Sequence, residues 1–403
     1  MAGSRVNQEL AGGPPYSVVG LVEALITDAH ELRASDIHLD PQDGGLRVRY
    51  RVDGVLQESG ILPSDVQSEI VTRIKILSGL RTDEHQAAQD GRFRVNLPNP
   101  GAIDVRVSIA PTYYGENAVM RLLSDKAEEF SLESLGFSSA DQKKIRRALT
   151  SPYGMILATG PTGSGKTTTL YTLLKILNTK EVSIVTIEDP IEYAIAGIEQ
   201  IQVNARTGLN FANGLRSILR QDPNIIMVGE IRDAETAGIS VNTALTGHLI
   251  LSSLHTNSAA TTLPRLLDLR IEPYLIASTV NLAVGQRLVR KICTDCRRPL
   301  SLTETERKSL ADVIPAALLR GKKFYHGKGC EKCGHTGFRG RIGLYEVLLV
   351  DAAIREAILR KATAEEINEL AVKRGMAPML HDGVEKAAAG QTTIQEVLRI
   401  LHE

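Results

Sequence analysis

The apolar positions change their period along the chain, and the changes divide it. Val19, Val22, Ile26 and Ala29 recur at helical spacing, after which Ile37, Leu39, Val48, Tyr50 and Val52 alternate at period two, so a helix is predicted to lead into short strands. Ser64 and Gln67 form a capping-box pair ahead of Ile70, Ile74 and Leu77. Phe93, Val95, Ile103, Val105, Val107 and Ile109 then alternate as antiparallel strands with one wet face. Residues 17–124 therefore read as a small α+β domain. Residues 1–16 carry Gly12, Gly13, Pro14 and Pro15 and no period, and are expected to form a loose leader.

Past a polar stretch at 124–131 the pattern becomes short apolar runs separated by helical segments. The runs at 155–158, 182–187, 225–228 and 249–254 are apolar on both faces, which suits a parallel sheet covered by helices. Residues 125–290 are accordingly expected to be a doubly wound α/β domain whose ligands sit at the carboxyl ends of the strands. The cysteines mark off 291–340 as a separate element. Residues 341–403 read as helical, with capping boxes at Thr363 with Glu366 and Thr393 with Glu396.

Composition narrows the function classes. A chain of 403 residues, 43% apolar, is long enough for two or three cores, and its 47 basic and 47 acidic side chains cancel. A net charge of zero gives no global field for nucleic acid or an anionic membrane, and aromatics at 4% with no Trp leave few stacking platforms for single strands. No nucleic-acid partner is expected. No apolar run of about 18 residues and no secretory leader is found, so a cytosolic location is expected.

The chemistry is concentrated in the middle of the chain. Gly160-Pro161-Thr162-Gly163-Ser164-Gly165-Lys166-Thr167 matches the phosphate loop in full, after an apolar strand and at the start of a helix. The glycines let backbone N–H groups converge on phosphates, Lys166 reaches the β- and γ-phosphates, and the Thr167 hydroxyl is placed to ligate Mg²⁺, with Thr168 next in the helix. Two apolar strands run into acids at the same edge: Ile187 into Glu188, Asp189 and Glu192, and Val228-Gly229 into Glu230. Glu230 and Glu188 are the candidates for orienting water and holding the metal's water shell, or else they end buried strands in solvent. Gly229 stands where many phosphate-loop enzymes place a metal-binding Asp. His255 closes a fourth strand after Ser252 and Ser253, and reads either as a γ-phosphate contact or as an ordinary hydrogen-bonded imidazole.

Cys293-x-x-Cys296 and Cys330-x-x-Cys333 use all four cysteines of the chain, the spacing of a tetrahedral, structural Zn²⁺ site with no open position for catalysis. His326 and His335 lie nearby as spare ligands at most. Arg216 and Arg220, one helical turn apart, are either a solvated face or a surface serving an adjacent subunit.

These residues carry a resemblance. The phosphate loop, followed by Thr186-Ile-Glu-Asp-Pro-Ile-Glu-Tyr193, by Ile226-Met-Val-Gly-Glu-Ile-Arg-Asp233 and by Thr246-Gly-His-Leu-Ile-Leu-Ser-Ser-Leu-His-Thr-Asn257, resembles the secretion ATPase superfamily that drives type II secretion and type IV pili. The likeness runs from about Ser35 to the C-terminus. It implies a P-loop, RecA-like ATPase domain preceded by a PAS-like α+β domain. The four blocks correspond to the family's Walker A, Asp box, atypical Walker B and His box, which implies catalytic roles for Glu188, Glu230 and His255.

Asp104-Val-Arg-Val-Ser108 and Gly115-Glu-Asn-Ala-Val-Met-Arg-Leu-Leu123 resemble the family's segments whose arginines reach the γ-phosphate, so Arg106 and Arg121 are expected to be arginine fingers. By spacing alone Arg106 is a solvated charge on the polar face of a strand. The resemblance implies ATP and Mg²⁺ as ligands and a homo-hexameric ring in which hydrolysis drives domain rotation. It also implies an inner-membrane platform protein and a membrane-anchored cytoplasmic docking protein as partners, with the chain peripheral to the inner membrane through them. The tetracysteine element implies an assembly-type rather than a retraction-type member. Family members of that type carry a further N-terminal docking domain, where about sixteen residues precede the first helix here, so membrane attachment by this chain alone is not expected. Ser253 stands where relatives often have Thr. The competing expectations are a DNA-handling ATPase, of the conjugation or translocase kind, and a nucleotide-gated scaffold without turnover.

Overall fold

The computed structural model describes residues 5–97, 102–124, 130–301, 303, 310 and 313–401. The chain divides into two compact units, 1–128 and 129–403. In the first, α1 (Arg5–Ala11) and α2 (Val18–Glu31) lead into β1 (Ala34–Gln42), β2 (Gly45–Val52) and β3 (Val55–Leu62), followed by α3 (Gln67–Leu77), β4 (Gln89–Asn96), β5 (Ala102–Thr112) and β6 (Gly115–Ser124). The six strands form an antiparallel sheet in the order β3-β2-β1-β6-β5-β4.

One face of this sheet is apolar. Ile37, Leu39, Val48, Tyr50, Val105, Val107 and Met120 pack there against Leu21, Val22, Leu25 and Ile26 of α2 and Ile70 and Ile74 of α3. Alternation along each strand then sends the polar side chains to the other face. On that face Arg92, Arg106 and Arg121 sit directly opposite one another across β4, β5 and β6, with Asp36 and Arg51 continuing the row on β1 and β2.

Three local expectations differ from the structure. The leader is not loose throughout: Arg5–Ala11 is helical and Val6 is buried, because the Asp28 carboxylate accepts the backbone N–H groups of Arg5 (3.1 Å) and Val6 (3.2 Å). That cap comes from 22 residues downstream, so no local period announces it. The Ser64 capping box does not form. Ser64 opens a 3-10 turn, α3 begins at Gln67 without a side-chain cap, and the Gln67 amide donates instead to Tyr114 O at 2.9 Å. Val19, counted in the apolar period of α2, faces out.

The second unit contains α4 (Leu132–Leu135), α5 (Ser139–Leu149), β7 (Gly154–Thr159), α6 (Lys166–Leu177), β8 (Ile184–Glu188), β9 (Glu199–Gln202), α7 (Phe211–Ile218), β10 (Ile225–Val228), α8 (Ala234–Leu245), β11 (Leu249–Leu254), α9 (Thr262–Asp268), α10 (Pro273–Thr279) and β12 (Val280–Ile292). After these come β13 (Arg297–Leu300), the short helix Ala316–Leu319, β14 (Phe324–Gly327), β15 (Phe338–Leu349) and the helices Ala352–Leu359, Ala364–Lys373, Met379–Ala388 and Ile394–Leu401. The sheet order is β15-β12-β7-β11-β10-β8-β9, parallel throughout except for β15 against β12.

Both faces of this sheet are covered, as near-continuous apolar strands require. Met155, Leu157, Val185, Ile187, Ile226 and Val228 face a core with Leu215, Ala237, Val241, Leu263 and Ile276, while Ile156, Ala158, Met227 and Leu251 face one with Ile145, Leu170 and Leu174. The expectation of a purely helical end at 341–403 needs correction. Residues 341–349 lie in β15 and pair with β12, so the run Ile342–Leu348, buried on both faces, belongs to the central sheet. The Thr363 and Thr393 caps do form, each accepting the N–H of the glutamate three residues on, at 3.3 and 3.2 Å.

Candidate nucleotide and metal sites

β7 ends at Thr159, and the chain turns through residues 160–165 into α6, which brings the helix N-terminus to the carboxyl edge of the sheet. Gly163 and Gly165 take φ of 80° and 89°, conformations that suit glycine, and a Cβ on Gly160 would meet Gln286 O at 2.5 Å. Lys166 Nζ donates to Gly160 O (2.8 Å) and Pro161 O (3.0 Å), folding back over the loop it follows. Burial pushes the Lys166 ammonium down to about 8, against an upward pull from Glu230 and with a further push down from Arg287. Ser164 Oγ is buried with no hydrogen-bond partner among the described residues, and Thr167 and Thr168 are half-buried in the first turn of α6. An orphaned hydroxyl, an under-solvated cation and a helix N-terminus converge here, and all three fit a bound phosphate.

One residue that sequence reasoning passed over holds the loop in shape. Gln286 on β12 is fully buried; its Nε2 donates to Ser164 O at 2.8 Å and its Oε1 accepts from Thr169 Oγ1 of α6 at 2.8 Å. Little in the sequence signals it, since β12 also carries Asn281, Arg287, Arg290 and Lys291.

Glu230 follows β10 and is buried, with Oε2 accepting from His255 Nε2 at 3.1 Å and Oε1 paired with Arg232 Nη2 at 2.6 Å. Arg232, two residues along the same extended segment, was given no role in the sequence reading. Ser252 and Ser253 hydroxyls donate to Val228 O and Gly229 O, both at 2.7 Å, and lock the β11 end to the β10 end. The backbone explains the glycine before Glu230: a Cβ at Gly229 would lie 3.3 Å from Ile187 O and 3.4 Å from Glu188 Cα, tighter than most side chains tolerate. The segment after His255 is tied to the phosphate-loop strand, since Thr256 N donates to Thr159 Oγ1 (3.2 Å) and Thr159 Oγ1 to Thr256 O (3.0 Å).

Glu188 keeps different company. Its carboxylate is buried and accepts from Thr186 Oγ1 (2.6 Å), Gln200 Nε2 (3.1 Å) and the Tyr171 hydroxyl of α6. Among the described residues it makes no hydrogen bond or ion pair with Lys166, Glu230 or His255. Burial, and then the Glu188 charge, raise the Tyr171 hydroxyl far above its ordinary range, so it donates at all working pH values. Arg216 pairs with Glu235 at 2.7 Å, and Arg220, beyond the end of α7, donates to Arg216 O (2.9 Å) and Ser217 Oγ (3.0 Å). In the first unit, Arg121 Nε donates to Asp36 Oδ1 at 2.9 Å, and Arg106 is half-buried beside it on β5.

The four cysteines cluster in the second unit. Cys293 follows β12, Cys296 precedes β13, and Cys330 caps a 3-10 turn that ends in Cys333. Their sulfurs lie within 4.8 Å of one another, with 3.7, 3.8 and 3.9 Å between Cys330 and Cys333, Cys293 and Cys330, and Cys296 and Cys333. Four sulfurs about 2.3 Å from one ion stand roughly 3.8 Å apart at tetrahedral angles, so the donor set fits Zn²⁺. Backbone N–H groups of Gly329 and Gly337 point at the Cys296 and Cys333 sulfurs (both 3.3 Å). Burial pushes the Cys333 thiol up, and the N–H groups of Cys330 and Gly337 together with the Cys330 and Cys296 side chains more than offset this, bringing it down to about 6. Gly327 and Gly337 meet backbone to backbone, where a Cβ on either would approach the other to 2.0 or 2.5 Å. His326 and His335 are not in the cluster.

A profile of the family described as Type II/IV secretion system protein matches residues 15–399. The type II secretion system protein E of Xanthomonas campestris pv. campestris is 47% identical over 398 residues, 98% of this chain and 69% of that protein. The type IV pilus assembly ATPase PilB of Myxococcus xanthus is 43% identical over 382 residues, 94% of this chain and 67% of that protein. The structure of the pilus retraction motor PilT with bound ADP superposes with a TM-score of 0.62 at 25% identity, covering 94% of this chain and 96% of that one. The Legionella pneumophila ATPase DotB shares the fold, with a TM-score of 0.71 at 22% identity over 96% of this chain and 97% of that one. With the profile spanning nearly the whole chain and relatives this close, the protein belongs to the type II/IV secretion system protein family.

Proposed function

We propose that this chain is an ATP hydrolase that powers assembly of pilin-like filaments, in a type II secretion system or a type IV pilus. The observation that carries the reading is the convergence of the phosphate loop, its Lys166, and a buried Glu230 held by His255 and Arg232 at one sheet edge. In this reading residues 160–168 bind the ATP phosphates and Thr167 ligates Mg²⁺, which when bound supplies charge neutralisation for the departing phosphoryl group. Glu230 accepts the proton of the attacking water, His255 holds that carboxylate, and Arg106 and Arg121 neutralise the γ-phosphate. Glu188, tied to α6 through Tyr171, acts by fixing the helix behind the loop or by swinging from that network when ATP binds.

The working form is a homo-hexamer in which ATP binding closes the PAS-like first unit onto the RecA-like second and hydrolysis releases it. Its force passes to an inner-membrane platform protein, with a membrane-anchored cytoplasmic protein docking the ring at the membrane. The tetracysteine element holds a structural Zn²⁺ through Cys293, Cys296, Cys330 and Cys333. No helix among the described residues is long and apolar enough to cross a membrane, which is compatible with peripheral attachment through partners.

Phosphate release tests the reading. The wild-type chain should turn ATP over, Lys166→Ala should lose binding and turnover together, and Glu230→Gln should still bind ATP while turnover falls about 10²-fold or more. Equal turnover in the Glu230→Gln variant would remove Glu230 from the chemistry.

A further inference from the structure

The arginine row on the first unit contains one acid. Arg106 faces Arg92 on one side and Arg121 on the other, and like charges directly opposite in a ladder repel. Asp36 interrupts the row at its β1 position, opposite both Arg121 and Arg51. It is also the buried member: its side chain is 6% exposed, whereas that of Arg121 is 59% exposed.

Every oxygen of Asp36 is committed. Oδ1 accepts from Arg121 Nε at 2.9 Å, while Oδ2 accepts from Ser35 Oγ at 2.8 Å and lies 3.5 Å from Arg51 Nε. The carboxylate is thus fixed from behind by Ser35 and Arg51 before it touches Arg121. Among the described residues Asp36 is the one partner Arg121 has, and the contact uses Nε alone. The two terminal nitrogens make no hydrogen bond to a described residue, on a side chain that is mostly exposed, and they form the planar fork that grips a phosphate with two parallel hydrogen bonds.

We propose that Asp36 is a positioning residue for Arg121: it anchors the guanidinium through Nε and thereby presents the terminal fork to the γ-phosphate of ATP. The inference rests on the reading of Arg121 as a phosphate contact. Without the anchor the side chain regains its rotamers, is pushed by Arg106, and spends most of its time out of register. Binding of ATP, dominated by the phosphate loop, is then little changed, while the step in which charge moves on the phosphoryl group slows. An orienting partner of this kind is commonly worth about tenfold.

The test is ATP turnover by the full chain for Asp36→Asn, Asp36→Glu, Arg121→Ala and the two double variants that combine Arg121→Ala with Asp36→Asn or with Asp36→Glu, each checked by its melting curve. Asp36→Asn should lower kcat about tenfold with KM within about twofold of wild type, and should add nothing once Arg121 is alanine. Wild-type kcat in Asp36→Asn, or the same fold loss with and without Arg121, overturns the proposal, the second because it marks a purely structural role. Should Asp36→Asn not fold, Asp36→Glu decides, since it keeps the charge but displaces the anchor by one methylene: a kcat loss that vanishes in the Arg121→Ala background supports the proposal, and an equal loss in both backgrounds overturns it. Wild-type turnover in Arg121→Ala would instead sink the underlying reading of Arg121.

Discussion

Gln286→Leu separates the phosphate loop from the strand that shapes it while nearly conserving volume. The wild-type amide makes two buried hydrogen bonds, to Ser164 O and from Thr169 Oγ1, both 2.8 Å. Each contributes about 1 kcal/mol, and a buried group left without its partner costs about 1–3 kcal/mol more. The Thr169 hydroxyl can turn to a carbonyl one helical turn back and recover part of its loss. The Ser164 carbonyl has no such recourse, so the expected destabilisation is about 2–4 kcal/mol. For a unit of this size that lowers Tm by roughly 3–7 °C. The site should also loosen: a tenfold weaker nucleotide removes about 1.4 kcal/mol of ligand-linked stabilisation. Thermal melts with and without ADP read both quantities, and KM for ATP gives a second measure of the site. A leucine variant that melts within about 1 °C of wild type, with the same shift on adding ADP, would refute the idea that Gln286 preorganises the loop.

Lys166 gives a pH dependence with a definite sign. Burial holds its ammonium down to about 8 before nucleotide binds, and a bound triphosphate favours the charged form, so binding takes up protons near and above pH 8 and affinity falls as pH rises through that value. Calorimetry at pH 8.5 in two buffers of different ionisation heat should show proton uptake, and identical heats would contradict it. The purified chain should carry one zinc ion by atomic absorption, and Cys296→Ser should lose the metal and lower Tm. A metal-free wild-type chain with an unchanged melt would contradict the zinc assignment.

Much of this was legible because each feature had a local cause. The phosphate loop, the parallel strands and the paired cysteines depend on residues close in sequence, and the structure places them where period and spacing point. What stayed hidden depends on distant partners. The Arg5–Ala11 helix is capped by Asp28, and Gln286 matters only because β12 lies beside β7. β15 was missed for a different reason: residues 342–348 are buried on both faces and, apart from Gly343 and Glu346, apolar, so no period-two alternation tells strand from helix. Glu188 shows the reverse limit, since its place at a strand end was readable but its commitment to Tyr171 and Gln200 was not.

The proposal that matters most is that Arg106 and Arg121 neutralise the γ-phosphate. Steady-state turnover of Arg106→Ala and Arg121→Ala, beside Lys166→Ala, tests it most directly. Arginine fingers predict kcat falling by roughly 10³-fold or more in each arginine variant with nucleotide still bound. Turnover undiminished in both, while Lys166→Ala abolishes it, would contradict the claim.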